Sequence, residues 1–142
     1  MTARSPGYTI LEHPSDLGIE ARGRTLPELF QQAATALFSI IVEPATVSEK
    51  EQREVVIAAS DVEHLLVRWL TEILYLYDGT GFVCKDFRIE SLSGTNLKAT
   101  VLGDTLSPSV HRTRLDVKAV TYHQLAVRQD ADGWVARVFL DI

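Results

Sequence analysis

Asp16, in the stretch EHPSDLGI, and Asp141, in the terminal GWVARVFLDI, are the residues whose types and settings point most directly to chemistry. The chain runs along an apolar strand onto Asp141-Ile142 and stops there. A side-chain carboxylate and the chain-terminal carboxylate would then lie side by side at the end of something rigid. Two anions held that close repel each other, and a cation between them turns the repulsion into attraction. With a period of two, Trp134, Ala136, Val138, Leu140 and Ile142 share one wholly apolar face, and Val135, Arg137, Phe139 and Asp141 share the other. Ile142 can bury its side chain as an anchor while Asp141 points the opposite way at the rim.

A cation needs more oxygen ligands, and Asp16 is the best candidate elsewhere. It sits in a short turn between two expected strands, beside His13 and Glu12. Carboxylates from Asp16, Asp141 and the terminus of Ile142, with no thiolate, suit a hard ion: magnesium, manganese or calcium, with waters completing the shell. Zinc is less apt, because the chain has one cysteine and no histidine pair at helical spacing. The residues alone favour plainer readings. Asp16 serves as a turn residue bonding nearby backbone N–H groups, and Asp141 as a solvated strand end. His13 could orient a metal ligand through a hydrogen bond, or be an ordinary hydrogen-bonding histidine.

The elements that must position these groups follow from the pattern. YTILEH and LGIEARG alternate as strands, joined by the turn-like PSD. TLPE opens a helix, with Thr25 and Glu28 at capping-box spacing and Pro27 in the first turn. Its apolar stripe is Leu26, Leu29, Phe30, Ala33, Leu37, Ile40 and Ile41. EPATVSEKEQ is a polar connection, and EVVIAA is a strand. Ser60 is the expected cap of a second helix, with Glu63 answering it; VEHLLVRWLTEILYLY follows, and DGTG ends it. FVCKDFRIESL, NLKATVLGD, VKAVTYHQLAVRQ and WVARVFLDI read as strands, with SGTN and DADG as hairpin turns and TLSPSVHRTRLD as a longer loop. The expected fold is a single α+β domain spanning 1–142, its two helices on one face of a mainly antiparallel sheet.

Length and composition agree. The 142 residues make one domain with room for a real core, at 46% apolar and 23% charged. The net charge of −5 argues against a protein whose main work is gripping phosphate backbones. The lone Cys84, in an apolar strand, reads as a buried inert thiol in a reducing compartment. MTARSPGYTI carries no apolar signal region and no apolar run is long enough to span a bilayer, so a cytoplasmic protein is expected.

Other residues invite a functional reading and have a plain one beside it. Lys118, Thr121, Tyr122 and His123 lie in KAVTYH; in a continuous strand Lys118 and Tyr122 share one face, Thr121 and His123 the other. His123 reads as a packed or edge histidine. His64 lies just inside a helix start. His111, Arg112 and Arg114 form a small basic loop, read as facing solvent in preference to touching RNA. Trp69 belongs to the core. No glycine-rich phosphate loop, Cys-His arrangement or nucleophile elbow is present.

EHPSDLGI resembles the N-terminal signature of the archease family, which usually runs His-Thr-Ala-Asp-hydrophobic-Gly. GRTLPELFQQAATALF, LLVRWLTEILYLYD, VKAVTYHQL and VFLDI resemble that family's blocks in the same order, from Tyr8 to Ile142. Pro14 and Ser15 depart from the usual Thr-Ala without touching the aspartate. The resemblance implies a protein cofactor of the GTP-dependent RNA ligase that joins a 3'-phosphate or cyclic-phosphate end to a 5'-hydroxyl end. That reaction serves tRNA splicing in archaea and eukaryotes and RNA repair in bacteria. Such a cofactor promotes guanylylation of the ligase and multiple turnover, and an indirect contact with RNA ends and GTP is among the partners implied. The resemblance also implies a divalent-metal site, which by matched motif falls on Asp16, Asp141 and the α-carboxylate of Ile142. Lys118 could then meet a phosphate or an acidic patch on the ligase, or remain an exposed strand lysine. The expectation is a non-catalytic activator. Its rivals are a metal-dependent phosphoester hydrolase or transferase, and a general chaperone or RNA-binding adaptor.

Overall fold

The computed structural model describes residues 5–12 and 16–142. Strands β1 (Gly7–Glu12) and β2 (Asp16–Gly23) pair antiparallel and lead into helix α1 (Leu26–Ile41). A short 3-10 turn (Pro44–Thr46) precedes β3 (Glu51–Ala58), helix α2 (Val62–Thr80), β4 (Phe82–Leu92) and β5 (Asn96–Thr105). After a loop come β6 (Ala119–Val120), β7 (Ala126–Asp130) and β8 (Gly133–Asp141). The fold is α+β with two helices, and the strands form two antiparallel sheets where one was expected. The larger has the order β1-β2-β8-β6 with β7 also on β8; the smaller has the order β3-β5-β4.

Nine residues of α1 are buried: Leu29, Phe30, Ala33, Ala34, Ala36, Leu37, Phe38, Ile40 and Ile41. A helix buried on so many sides needs partners on several, and α1 packs on β2 of the larger sheet and β4 of the smaller. Helix α2 likewise touches strands of both sheets, and Trp69 ties the helices together by donating its indole N–H to the Phe30 carbonyl at 3.0 Å. Leu17, Ile19 and Ala21 of β2 face the same core as Ala136, Val138 and Leu140 of β8.

Several boundaries differ from expectation, each for a local reason. The N-cap of α2 is Asp61, not Ser60: its Oδ1 accepts from the His64 backbone N–H at 2.8 Å. Helix α2 runs through Asp78, Gly79 and Thr80 and stops at Gly81, whose φ of 71° is the left-handed cap conformation. Strand β3 begins at Glu51, inside the stretch read as connection. The Glu51 carboxylate accepts from Thr105 Oγ1 at 2.7 Å, and Arg53 lies 4.5 Å from the Phe82 ring centroid. The strand expected over VKAVTYHQLAVRQ is broken. β6 pairs Val120 with Leu140 and β7 pairs Ala126 with Arg137, so residues 121–125 loop out opposite Val138 and Phe139. Thr121 anchors the break through its N–H and Oγ1, both donating to the Phe139 carbonyl at 3.0 and 2.9 Å.

The loop before β6 keeps Arg112 and Arg114 exposed, as expected, but it is tied to α1 and buries His111. Arg114 and Leu115 donate backbone N–H groups to the Ile41 and Ile40 carbonyls at 2.7 and 3.1 Å, satisfying acceptors that the end of α1 leaves open. The Arg114 side chain donates to the Ser39 carbonyl at 2.8 Å and pairs with Glu43. His111 is only 4% exposed, and its Nδ1 accepts from the Ser107 N–H at 2.9 Å.

The cap assignment is testable by urea denaturation. Asp61→Ala should cost about 1 kcal/mol, the usual worth of an N-cap, while Ser60→Ala should change stability by only a few tenths. Equal losses would place the cap elsewhere.

Candidate metal site at the open end of the larger sheet

Asp16 and Asp141 are direct partners in the β2–β8 ladder. Residues directly opposite in an antiparallel pair point to the same face, with Cβ atoms about 4.5–5.5 Å apart. The alternation along β2 sets that face: Leu17, Ile19 and Ala21 go to the core, so Asp16, Gly18, Glu20 and Arg22 go outward. On its other edge Asp141 is opposite Ala119, and its carbonyl accepts from the Lys118 N–H at 2.8 Å. The backbone of Asp141 is therefore held on both sides. Ile142 is half-buried and packs against the core, as an anchoring residue would.

The electrostatics at this end are unusual. Like charges directly opposite each other in a sheet destabilise it, and among the described residues neither carboxylate makes an ion pair or a side-chain hydrogen bond. One ladder position further in, Gly18 faces Phe139, and a Cβ on Gly18 would come within 2.9 Å of that ring. Phe139 is buried on the outer face, with the His123 ring 5.6 Å away. Beyond it Glu20 faces Arg137 and is paired with it at 3.1 Å. Among the described residues a cation is thus supplied to Glu20 and none to the aspartate pair.

The donor set offers carboxylate oxygens alone, a chemistry that suits a hard divalent ion better than zinc. Among the described residues no three His, Cys, Asp or Glu side chains converge. Two side chains with the α-carboxylate of Ile142 and water would have to make the shell.

The remaining sequence candidates are placed as follows. His13 lies outside the described residues, and Glu12 ends β1 opposite Leu17. Lys118 is exposed, and the break after Val120 ends the strand that would have set its face. His64 is bonded to Asp61 at 2.8 Å and its ring lies 5.4 Å from that of Tyr122. Trp69 is core. Cys84 is buried, and burial pushes its thiol well above the ordinary range, so it carries no nucleophile. Sequence reasoning passed over one further group, an outer-face cavity lined by Glu20, Arg128 and Arg137. Its members come from three strands and share a place only through the register of β8 with β2 and β7.

These features define a small two-helix α+β protein that presents a paired carboxylate at the open end of its main sheet. The sequence pattern of the Archease protein family (MTH1598/TM1083) matches residues 8–142. The archease of Methanosarcina acetivorans is 39% identical over 146 aligned positions, covering 100% of each chain. That of Pyrococcus abyssi is 39% identical, covering 92% of this chain and 95% of its own. The solution structure of Methanobacterium thermoautotrophicum protein 1598 superposes with a TM-score of 0.83 at 32% identity, over 96% of this chain and 99% of its own. The crystal structure of a Thermotoga maritima archease, described as a possible chaperone, shares the fold at a TM-score of 0.63 and 22% identity, over 100% and 99%. The chain belongs to the archease family. No helix among its described residues is long and apolar enough to cross a membrane.

Two outcomes follow from this geometry. In metal-free buffer Asp16→Asn should stabilise the protein by roughly 0.2–1 kcal/mol in urea melts, because it removes a like-charge cross-strand pair; a loss would mean the carboxylate has a favourable partner. Iodoacetamide should leave native protein unlabelled and modify Cys84 only after unfolding, as mass spectrometry would show.

Proposed function

We propose that this archease binds a divalent cation through Asp16, Asp141 and the α-carboxylate of Ile142, and that it activates a GTP-dependent RNA ligase from that end of the sheet. The observation that carries the reading is the cross-strand pairing of Asp16 with Asp141, with no cationic side chain on either among the described residues. A fold that places two bare anions in register pays a repulsion that a bound ion removes. The ligase as partner, and the joining of 3'-phosphate to 5'-hydroxyl RNA ends as the process served, are part of this proposal and rest on what the resemblance to archeases implies. Nucleotidyl transfer depends mainly on positioning and on neutralising phosphate charge, which a carboxylate-held ion at an exposed strand end is suited to assist. The role of this chain's own residues is to hold that charge at a fixed place. Lys118, exposed next to the site, would contact the acidic or phosphate groups of the partner.

The possible-chaperone description of the Thermotoga protein motivates a second reading, in which many partners are bound and the aspartates do not matter. One experiment separates the two. Calorimetric titration with calcium, magnesium and manganese should show binding to the wild-type chain. Asp16→Ala, Asp141→Asn and a variant with one residue added after Ile142 should each weaken it tenfold or more. The same variants should fail to accelerate guanylylation of the ligase. Full acceleration by variants that bind no metal would overturn the metal-assisted mechanism, and turnover of a phosphoester by the protein alone would favour a hydrolase.

A further inference from the structure

The outer face of the larger sheet carries a second feature that the aspartate pair does not use. Glu20, Gln124, Ala126, Arg128, Val135 and Arg137 line an open cavity of about 220 Å³. Arg137 is the direct partner of Ala126, and Arg128 of Val135. The two arginines are therefore diagonal neighbours on one face of the β7–β8 ladder, their Cα atoms roughly 7–8 Å apart. Side chains of that length can close on one ligand.

Charge in the cavity is unequal. Glu20 accepts from Arg137 Nη2 at 3.1 Å. Arg22, outside the cavity, also leans on Glu20 at 3.9 Å and donates to Thr9 Oγ1 at 3.1 Å. Arg128 has no hydrogen-bond or ion-pair partner among the described residues. Asp130, next on that side of β7, lies outside the lining and accepts from the Asp132 N–H at 2.9 Å. The lining thus holds two guanidiniums and one carboxylate, an excess of positive charge in a chain of net charge −5. Gln124 completes it with a φ of 50°, a left-handed conformation that costs energy in a residue with a side chain. Its amide offers both a donor and an acceptor.

We propose that this cavity binds a phosphate monoester on a hydroxylated, pentose-sized carrier. Arg128 and Arg137 hold the phosphoryl oxygens, and Glu20 and Gln124 meet the hydroxyls. Guanidinium forks match phosphate oxygens in pairs. A carboxylate ligand has only two oxygens, which one guanidinium satisfies, whereas a phosphate monoester has oxygens for both. The volume lies below the 300–1,000 Å³ or so of drug-sized pockets, so it admits a phosphate and a sugar and leaves anything attached in solvent. The site is independent of the metal reading. Arg137 and Asp141 are four residues apart on β8, about 13 Å at ~3.3 Å per residue, with Phe139 between them.

The test is a titration of metal-free, isotopically labelled protein followed by amide shifts at constant ionic strength. The probes are ribose 5-phosphate, inorganic phosphate, ribose, and a 5'-phosphorylated trinucleotide. Ribose 5-phosphate should shift residues 124–128 and 135–137, several-fold more tightly than inorganic phosphate, and ribose alone should shift nothing. Arg128→Gln should weaken binding at least tenfold, with its spectrum otherwise unchanged. Arg22→Gln, outside the cavity, should bind as wild type does. Binding of the trinucleotide as tight as ribose 5-phosphate assigns the site to nucleic-acid ends; much weaker binding assigns it to free sugar phosphates. Shifts scattered over the surface, equal affinity of Arg128→Gln, or no shift at millimolar ribose 5-phosphate would each overturn the proposal.

Discussion

Strand β8 is hydrogen-bonded along both edges, to β2 on one side and to β6 and β7 on the other, and the rest of the architecture depends on that register. Ala136, Val138 and Leu140 are locked into the core by burial. A shift of one residue would turn them to solvent and drive Arg137 and Asp141 inward, so the register admits no slip. The side chains that point outward are then fixed without packing of their own. Asp141 faces Asp16 because Leu140 must face Leu17.

The two ends of that outer face solve the problem of charge differently. At Glu20, two guanidiniums lie on one carboxylate, at 3.1 Å from Arg137 and 3.9 Å from Arg22. At the open end no described residue pairs with the two carboxylates, and the aromatic Phe139 lies between the two regions. Surface ion pairs contribute little to stability, so the contrast bears on what each region attracts more than on how firmly the fold stands. An acidic chain that keeps Arg128 and the aspartate pair at opposite ends of one face has a polar axis along the sheet.

The legible part of the fold was the part set by local chemistry. The α1 cap at Thr25 and the inward face of β8 follow from spacing alone, and the structure has both. What could not be read came from partners distant in sequence. The division into two sheets depends on α1 being buried on several sides, and periodicity shows one stripe without naming what covers the others. The polar start of β3 is a strand because Glu51 and Arg53 find Thr105 and Phe82 across the sheet. VKAVTYHQLAVRQ alternates well enough to be continuous, yet Thr121 binds the Phe139 carbonyl and the strand loops out. His111 looked solvated beside two arginines, but Arg114 is spent on the end of α1 and the loop closes over the histidine. At the candidate site, Asp16 and Asp141 could be singled out by type and setting. That they lie opposite each other is a fact of register, which neither strand states by itself.

The β2–β8 ladder also joins segments more than a hundred positions apart, since it runs from Asp16↔Asp141 to Gly23↔Trp134. A chain emerging from the ribosome makes the β1–β2 hairpin early and must wait for the β7–β8 hairpin before the free edge of β2 is covered. Until then β2 offers unpaired backbone groups and the apolar row Leu17, Ile19, Ala21 to any passing strand. Long-range closure of this kind is slow, because its entropy is lost before its contacts form. The aspartate pair comes into being only when that closure is finished, so no partly synthesised chain can present it.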